Sequence, residues 1–243
     1  MNIVSFGGGV NSAAMLVGMY QRGIPIDLIL FADVGAERPE IYAFLHEMGD
    51  WLRVRDLPPI TVVENVDRFG QRLTLEQECL RSHTLPSIAF GHKRCSLKHK
   101  IAPQDKFCNH HPGCRAEWAG GRRVKKYIGY DAGEGRRQER ARERDAADRK
   151  YCKVYPLMDW GWTRADCIRA IRQAGLSVPG KSSCFFCPSM KKQEILALRD
   201  QHPELLARAL ALEANARERL ITVQGLGRSW SWADYLNTVK EAA

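Results

Sequence analysis

Ile3-Val4-Ser5-Phe6-Gly7-Gly8-Gly9-Val10-Asn11-Ser12-Ala13-Ala14-Met15-Leu16-Val17 stands at the head of the chain, and its reading decides the fold class. The first four residues suit a short buried strand, the three glycines permit a tight turn, and the apolar run from Ser12 to Val17 suits a helix. The same alternation continues downstream. Asp27-Leu28-Ile29-Leu30-Phe31-Ala32-Asp33 reads as a second buried strand. Ile41, Phe44, Leu45, Met48 and Leu52 mark the inner face of a helix over 39–54, and Ile60-Thr61-Val62-Val63 reads as a third strand. Strands alternating with helices at this spacing require right-handed crossovers and a parallel sheet, whose ligands sit at the carboxyl ends of the strands.

Over residues 67–123 the periodicity fades among scattered His, Cys, Gly and Pro, which predicts an irregular insertion. Residues 124–130 and 152–157 read as further strands, and 133–150 as a highly charged helix or flexible arm. Thr163 and Asp166 form a capping box for a helix over 164–174 that Gly175 ends. Stretches 190–200, 204–219 and 232–240 read as helices, the last capped by Ser231. The expected organisation is an α/β domain over 1–190, carrying the insertion, with a helical extension of the same domain over 191–243.

At 243 residues, 44% hydrophobic and 27% charged, the composition is that of a folded globular protein. No run of apolar residues is long enough to span a membrane and no secretory signal opens the sequence, so a cytoplasmic protein without a membrane partner is expected. Eight cysteines in a reducing compartment point to ligand or catalytic roles before disulfides. A formal charge of +9 favours a polyanionic partner, either nucleic acid or a phosphorylated small molecule.

The glycine loop carries the first chemistry. Unpaired backbone N–H groups and the positive end of a helix favour phosphate there, and glycines let the main chain approach it closely. The loop has neither the Lys-Ser/Thr ending of a Walker A sequence nor the G-x-G-x-x-G spacing of a dinucleotide fold. It resembles the pyrophosphate loop, Ser-Gly-Gly-x-Asp-Ser, of the adenine nucleotide alpha-hydrolase superfamily, which includes PP-loop ATP pyrophosphatases and phosphoadenosine phosphosulfate (PAPS) reductases. Asn11 stands where Asp is usual. Phe31-Ala32-Asp33-Val34-Gly35-Ala36-Glu37-Arg38-Pro39-Glu40 is similar to the segment Phe-x-Asp-Thr-Gly-x-Glu-x-Pro-Glu of the reductases. Gly129-Tyr130-Asp131-Ala132-Gly133-Glu134, Tyr155-Pro156-Leu157 and Trp160-Gly161-Trp162-Thr163 continue the resemblance in the family's order.

This resemblance implies an α/β, Rossmann-like parallel-sheet core of the adenine nucleotide alpha-hydrolase type with a helical C-terminal portion. It implies nucleotide contacts at Ser5, Phe6, Gly7, Gly8, Gly9, Asn11, Ser12, Ala32, Asp33 and Gly129. It makes Asp33 a catalytic residue that positions Mg²⁺ for ATP, and Glu134 and Arg137 substrate contacts.

Cys184-Phe185-Phe186-Cys187-Pro188 places two thiols three residues apart at the expected start of a helix, where Pro188 suits the first turn and the dipole favours thiolates. Such a pair fits zinc, an iron–sulfur cluster, a redox dithiol or plain core packing. Arg94-Cys95-Ser96-Leu97-Lys98-His99-Lys100 resembles the segment that supplies cluster cysteines beside a basic substrate site in iron–sulfur members of the reductase family. That resemblance implies Cys95, Cys184 and Cys187 as ligands of a [4Fe–4S] cluster with one open iron, zinc being the alternative metal. A closed set would need Cys79, Cys108, Cys114, Cys152 or Cys167. It also implies Arg94, Lys98 and Lys100 as substrate-binding cations, with Lys98 catalytic.

Cys108-Asn109-His110-His111-Pro112-Gly113-Cys114 reads as a polar loop or a zinc site, and Cys152 and Cys167 as core. The acid-interleaved run from Arg136 to Lys150 reads as a solvated helix or a nucleic-acid face. Trp230 and Trp232 read as anchors of the last helix or as base-stacking groups.

The activity implied is that of an ATP-pyrophosphatase-type sulfurtransferase, which adenylates a tRNA or DNA acceptor and receives sulfur through the cluster from a donor protein. Two alternatives stand beside it. A sulfonucleotide reductase would share the family, although no cysteine follows Cys187. A catalytically inactive nucleotide- or nucleic-acid-binding module would account for Asn11.

Overall fold

The computed structural model describes residues 1–241, which divide into two compact units. The first comprises residues 1–32, 39–63 and 104–182, and the second residues 33–38, 64–103 and the chain from 183 onward.

The first unit is built on a five-stranded parallel sheet formed by β1 (Asn2–Phe6), β2 (Leu28–Asp33), β3 (Ile60–Glu64), β4 (Val124–Ile128) and β5 (Tyr151–Val154), in the order β3-β2-β1-β4-β5. The register sets Phe6 beside Phe31, Val4 beside Tyr127 and Tyr127 beside Val154. β2 is buried at every position, as a strand covered on both faces must be. Alternate residues serve opposite faces. Val4, Phe6, Ile29 and Phe31 enter one cluster with α1 (Val10–Gln21) and α2 (Pro39–Arg53), while Ile3, Leu28 and Leu30 enter another with Cys108, Cys114 and Val124. α9 (Arg164–Gln173) packs along α1, and its Thr163–Asp166 capping box forms as the sequence predicts.

Two sequence readings give way here. The stretch 67–123 is not irregular: it holds α3 (Leu75–Ser82), α4 (Arg94–Ser96), a π-helical turn (Leu97–Ile101), α5 (Ala102–His110) and α6 (Pro112–Ala119). Their buried positions include Cys79, His99, Gln104, Cys108 and Cys114 rather than an aliphatic row, so no hydrophobic period shows. The strand expected over 152–157 ends at Val154 because Pro156 opens the short helix α8 (Pro156–Asp159). The charged segment is a helix, α7 (Gly135–Ala147), with Ala141 as its buried position.

In the second unit α3, α10 (Lys192–Gln201), α11 (Pro203–Ala216) and α12 (Trp232–Glu241) enclose a core that includes Phe185, Phe186, Ile195, Leu212 and Trp232. Trp232 is fully buried, so it anchors α12, and Ser231 Oγ accepts the Asp234 N–H at 3.0 Å as a cap. The buried Glu213 carboxylate accepts N–H groups from Leu226, Trp232 and Ala233 at 2.6, 3.0 and 3.1 Å, tying the preceding loop to this core. Among the described residues no helix is long and apolar enough to cross a membrane.

Candidate functional site

The loop between β1 and α1 shows why glycine is needed at position 8. Gly8 has φ +70°, and a Cβ there would stand 2.9 Å from Ile41 Cγ2. Ser12 braces the turn: its Oγ accepts the Gly7 N–H at 3.1 Å and donates to the Gly9 carbonyl at 3.0 Å. Gly9 is the N-cap residue of α1 and brings no side-chain cap, so the first turn keeps backbone donors for an anion. Ser5 Oγ is turned the other way, donating to buried Gln104 at 3.1 Å, and Phe6 is buried in the core. Phe6 therefore offers backbone rather than ring to a ligand.

A cavity of about 400 Å³ opens over this loop. Ser5, Gly7, Gly9, Asn11 and Ser12 form one wall, Gly129 and Tyr130 follow β4, and the cations Arg137, Arg164 and Lys181 stand around it. A Cβ on Gly129 would lie 3.1 Å from the backbone of Asn11 and Ser12, so only glycine lets β4 close this tightly on the start of α1. Asn11 Nδ2 donates to Asp131 at 3.0 Å and Glu134 at 3.1 Å, while its Oδ1 accepts from Arg164 at 3.2 Å. Arg137 donates to Glu134 at 2.7 Å and lies 4.2 Å over the Tyr130 ring. Burial works against its charge, but Glu134 and Tyr130 outweigh it and hold the guanidinium's pKa above its ordinary value. The cavity thus presents three cations, two carboxylates and a set of backbone donors, a surface suited to a nucleoside phosphate.

Ala32 is buried near the end of β2 and Asp33 closes the strand. Asp33 accepts the Gly35 N–H at 2.8 Å and pairs with Arg72 at 2.6 Å, and Arg72 also pairs with Glu64 at 2.8 Å. Gly35 has φ +69°, and a Cβ there would collide with Thr74, which fixes the turn after Asp33.

Cys95, Cys184 and Cys187 all belong to the second unit and pack against one hydrophobic cluster. Cys184 and Cys187 do not stand at a helix start as the sequence suggests. The Cys184–Cys187 stretch is a turn, closed by the Cys187 N–H to the Cys184 carbonyl at 3.0 Å, and α10 begins only at Lys192. The start of α10 therefore does not lie at Cys184 or Cys187. Burial pushes the Cys184 thiol up, Lys100 opposes this, and Glu37, Cys187 and Cys95 add to it. Cys79 is likewise pushed up to about 12, first by burial and then by Glu78 and Cys95. The donor chemistry of these thiols fits zinc or an iron–sulfur cluster. Among the described residues, however, no three His, Cys, Asp or Glu side chains are gathered as a preformed metal-binding group.

Lys98, His99 and Lys100 are already engaged. Lys100 pairs with the fully inaccessible Glu37 carboxylate at 3.1 Å. Burial disfavours the ammonium, but Glu37, Cys184 and Cys187 prevail and raise its pKa. Lys98 and His99 both reach Glu78, at 2.7 and 2.6 Å. These residues, with Arg94 and Cys95, line a second cavity of about 640 Å³. Cys108 and Cys114 are fully buried side by side, and Cys167 is core. The segment 108–114 is therefore packing between α5 and α6 and not a polar loop.

The phosphoadenosine phosphosulfate reductase domain matches residues 1–178 of the 243. The chain belongs to this family. No curated protein sequence is significantly similar to the family member described here. Among solved structures it is similar to the U34-tRNA thiolase NcsA from Methanococcus maripaludis with its [4Fe-4S] cluster, at 13% identity and a TM-score of 0.43, over 95% of this chain and 76% of the other. The family match stops before Cys184 and Cys187.

Several residues around this candidate site carry no local sequence signal. Arg164 reads as an ordinary first-turn helix residue, Lys181 as a loop cation, and Arg72 as part of the insertion, yet they meet Asn11, the cavity over the glycine loop and Asp33. Asp131 lay within the family-like segment; its capping box with Glu134 was the available clue.

Proposed function

We propose that this PAPS reductase-family chain is an adenine-nucleotide-dependent sulfurtransferase of the ATP-pyrophosphatase type. One observation carries the reading: a braced, side-chain-free loop delivers the N-terminus of α1 to a cavity ringed by Arg137, Arg164 and Lys181. Backbone donors of Gly7 to Ser12 would take the phosphate oxygens, and the three cations would balance the charge that develops as pyrophosphate leaves. The nucleotide would thereby be oriented for attack by an acceptor oxygen, which becomes adenylated. Asp33 would meet Mg²⁺ by exchanging Arg72 for the metal.

Cys95, Cys184 and Cys187 would hold a [4Fe–4S] cluster, or zinc, after their thiols draw together and deprotonate. When bound, such a cluster supplies an iron without a protein ligand as a place for sulfur. Lys98 and Arg94 would then stabilise charge on the reacting group, with Glu78 setting the position of Lys98. The acceptor is a tRNA or DNA, in keeping with the +9 charge and with the exposed Arg136, Arg140, Arg142 and Arg144 on α7.

Calorimetry of anaerobically purified protein with ATP, AMP and PAPS, followed by AMP release in the presence of tRNA or DNA and by iron, sulfide and zinc analysis, tests this. ATP binding with acceptor-dependent AMP release is the expected result. Reduction of PAPS would establish the reductase alternative, and binding without AMP release from any acceptor would establish the passive module.

A further inference from the structure

We infer that Asn11 is a positioning residue of the nucleotide cavity, whose amide holds Asp131 and Glu134 together and which aspartate cannot replace. The inference rests on the nucleotide reading of this cavity. It gives a reason for Asn11 in place of the Asp of the family's Ser-Gly-Gly-x-Asp-Ser pattern, from which the loop also departs at Gly7.

Every carboxylate oxygen of the pair has a donor. Asp131 Oδ1 accepts the Gly133 N–H at 2.9 Å and its Oδ2 accepts Asn11 Nδ2 at 3.0 Å. Glu134 Oε1 accepts Arg137 at 2.7 Å, and its Oε2 accepts Asn11 Nδ2 at 3.1 Å together with the Asp131 N–H at 3.4 Å. Arg164 donates to Asn11 Oδ1 at 3.2 Å, which fixes the orientation of the amide, since a flipped amide would aim N–H at a guanidinium and C=O at two carboxylates.

Aspartate has the same shape and would fit without steric change. It would set a third carboxylate 3.0 and 3.1 Å from the other two and remove the donor they share. The cavity's charge would also change. Asp131 and Glu134 already line the cavity, and a third carboxylate beside them makes its wall more negative where phosphate would sit. The loop can therefore carry Asp only where its surroundings are less acidic than here. Asn11 is thus the neutral donor that two fixed acids beside a phosphate loop require.

The test is a charge swap read by ATP calorimetry and by thermal unfolding. Asn11→Asp should weaken ATP binding by about 10- to 100-fold, the loss expected if about one charge-assisted hydrogen bond's worth of positioning reaches the bound nucleotide. Asn11→Ala removes the donor without adding charge and should lose less. The double variant N11D/D131N restores one hydrogen bond with its direction reversed and the original net charge, and should recover at least half of the lost binding free energy. Retained affinity in N11D, or a loss that the swap leaves untouched, overturns the inference. If the wild-type chain binds no ATP, the nucleotide reading fails. The positioning role is then judged by unfolding alone: N11D must lower the transition temperature and the swap must raise it again, and any other pattern overturns it.

Discussion

Lys100→Met distinguishes a substrate-binding lysine from one already committed to the fold. Its ammonium lies 3.1 Å from the Glu37 carboxylate, which has no solvent-accessible side-chain surface. At that separation and an effective dielectric of about 20, the attraction is roughly 5 kcal/mol before desolvation is counted. Breaking buried pairs by removing one partner costs about 3–5 kcal/mol, largely because the other charge stays behind. Lys100 itself is 36% exposed, so water screens part of the interaction and about 2–3 kcal/mol is expected. Urea unfolding of the wild type, K100M, E37Q and K100M/E37Q would read this directly. The single lysine variant should lose that amount, and the double should regain most of it because no charge is stranded. A loss below about 1 kcal/mol, or a double variant no more stable than K100M, would refute the reasoning.

Two further outcomes follow from the geometry. Burial depresses His99 below its ordinary 6.5, with Glu78 opposing and Lys98 adding to the effect, so below that pH the unfolded chain binds the more protons and stability falls as the medium is acidified. Glu78 is held low by Lys98 and His99 against its own burial, so a second loss in the same direction begins below about 4.5. His99→Phe should flatten the slope of unfolding free energy between pH 7 and 5; an unchanged slope would count against it. Gly129→Ala should cost about 1–3 kcal/mol and weaken ATP binding, because the Cβ meets backbone atoms of Asn11 and Ser12 that have no rotamer to give. Unaltered unfolding and calorimetry would mean that the β4 end is free to move.

The sequence announces the features that are local. Three glycines after Ser5-Phe6 mark the turn into α1 because the left-handed backbone at Gly8, packed against Ile41, disfavours any side chain, and Thr163 with Asp166 marks a helix start because both partners lie within one turn. The insertion hides its helices because their buried faces mix Cys, His and Gln with few aliphatic residues such as Leu75. Partners of site residues hide for another reason. Arg72 meets Asp33 across 39 residues, Lys100 meets Glu37 across 63, and Asn11 meets Asp131 across 120, and no periodicity records such meetings. The helix start expected at Pro188 failed on a boundary: Pro188 sits in a turn and α10 begins at Lys192.

The second unit is threaded from three separated stretches of chain, with Cys95 in the middle one and Cys184 and Cys187 in the last. On a ribosome adding about 5–20 residues each second, Cys95 emerges roughly 5–20 s before its proposed partners exist. Phe185, Phe186 and Trp232, which close the core around it, come later still or alongside. The nascent chain therefore carries an unshielded thiol through most of its synthesis, and oxidation in that interval would disable it before folding begins. If these three thiols share one metal, its loading has to wait until Cys184 and Cys187 have been translated, long after Cys95.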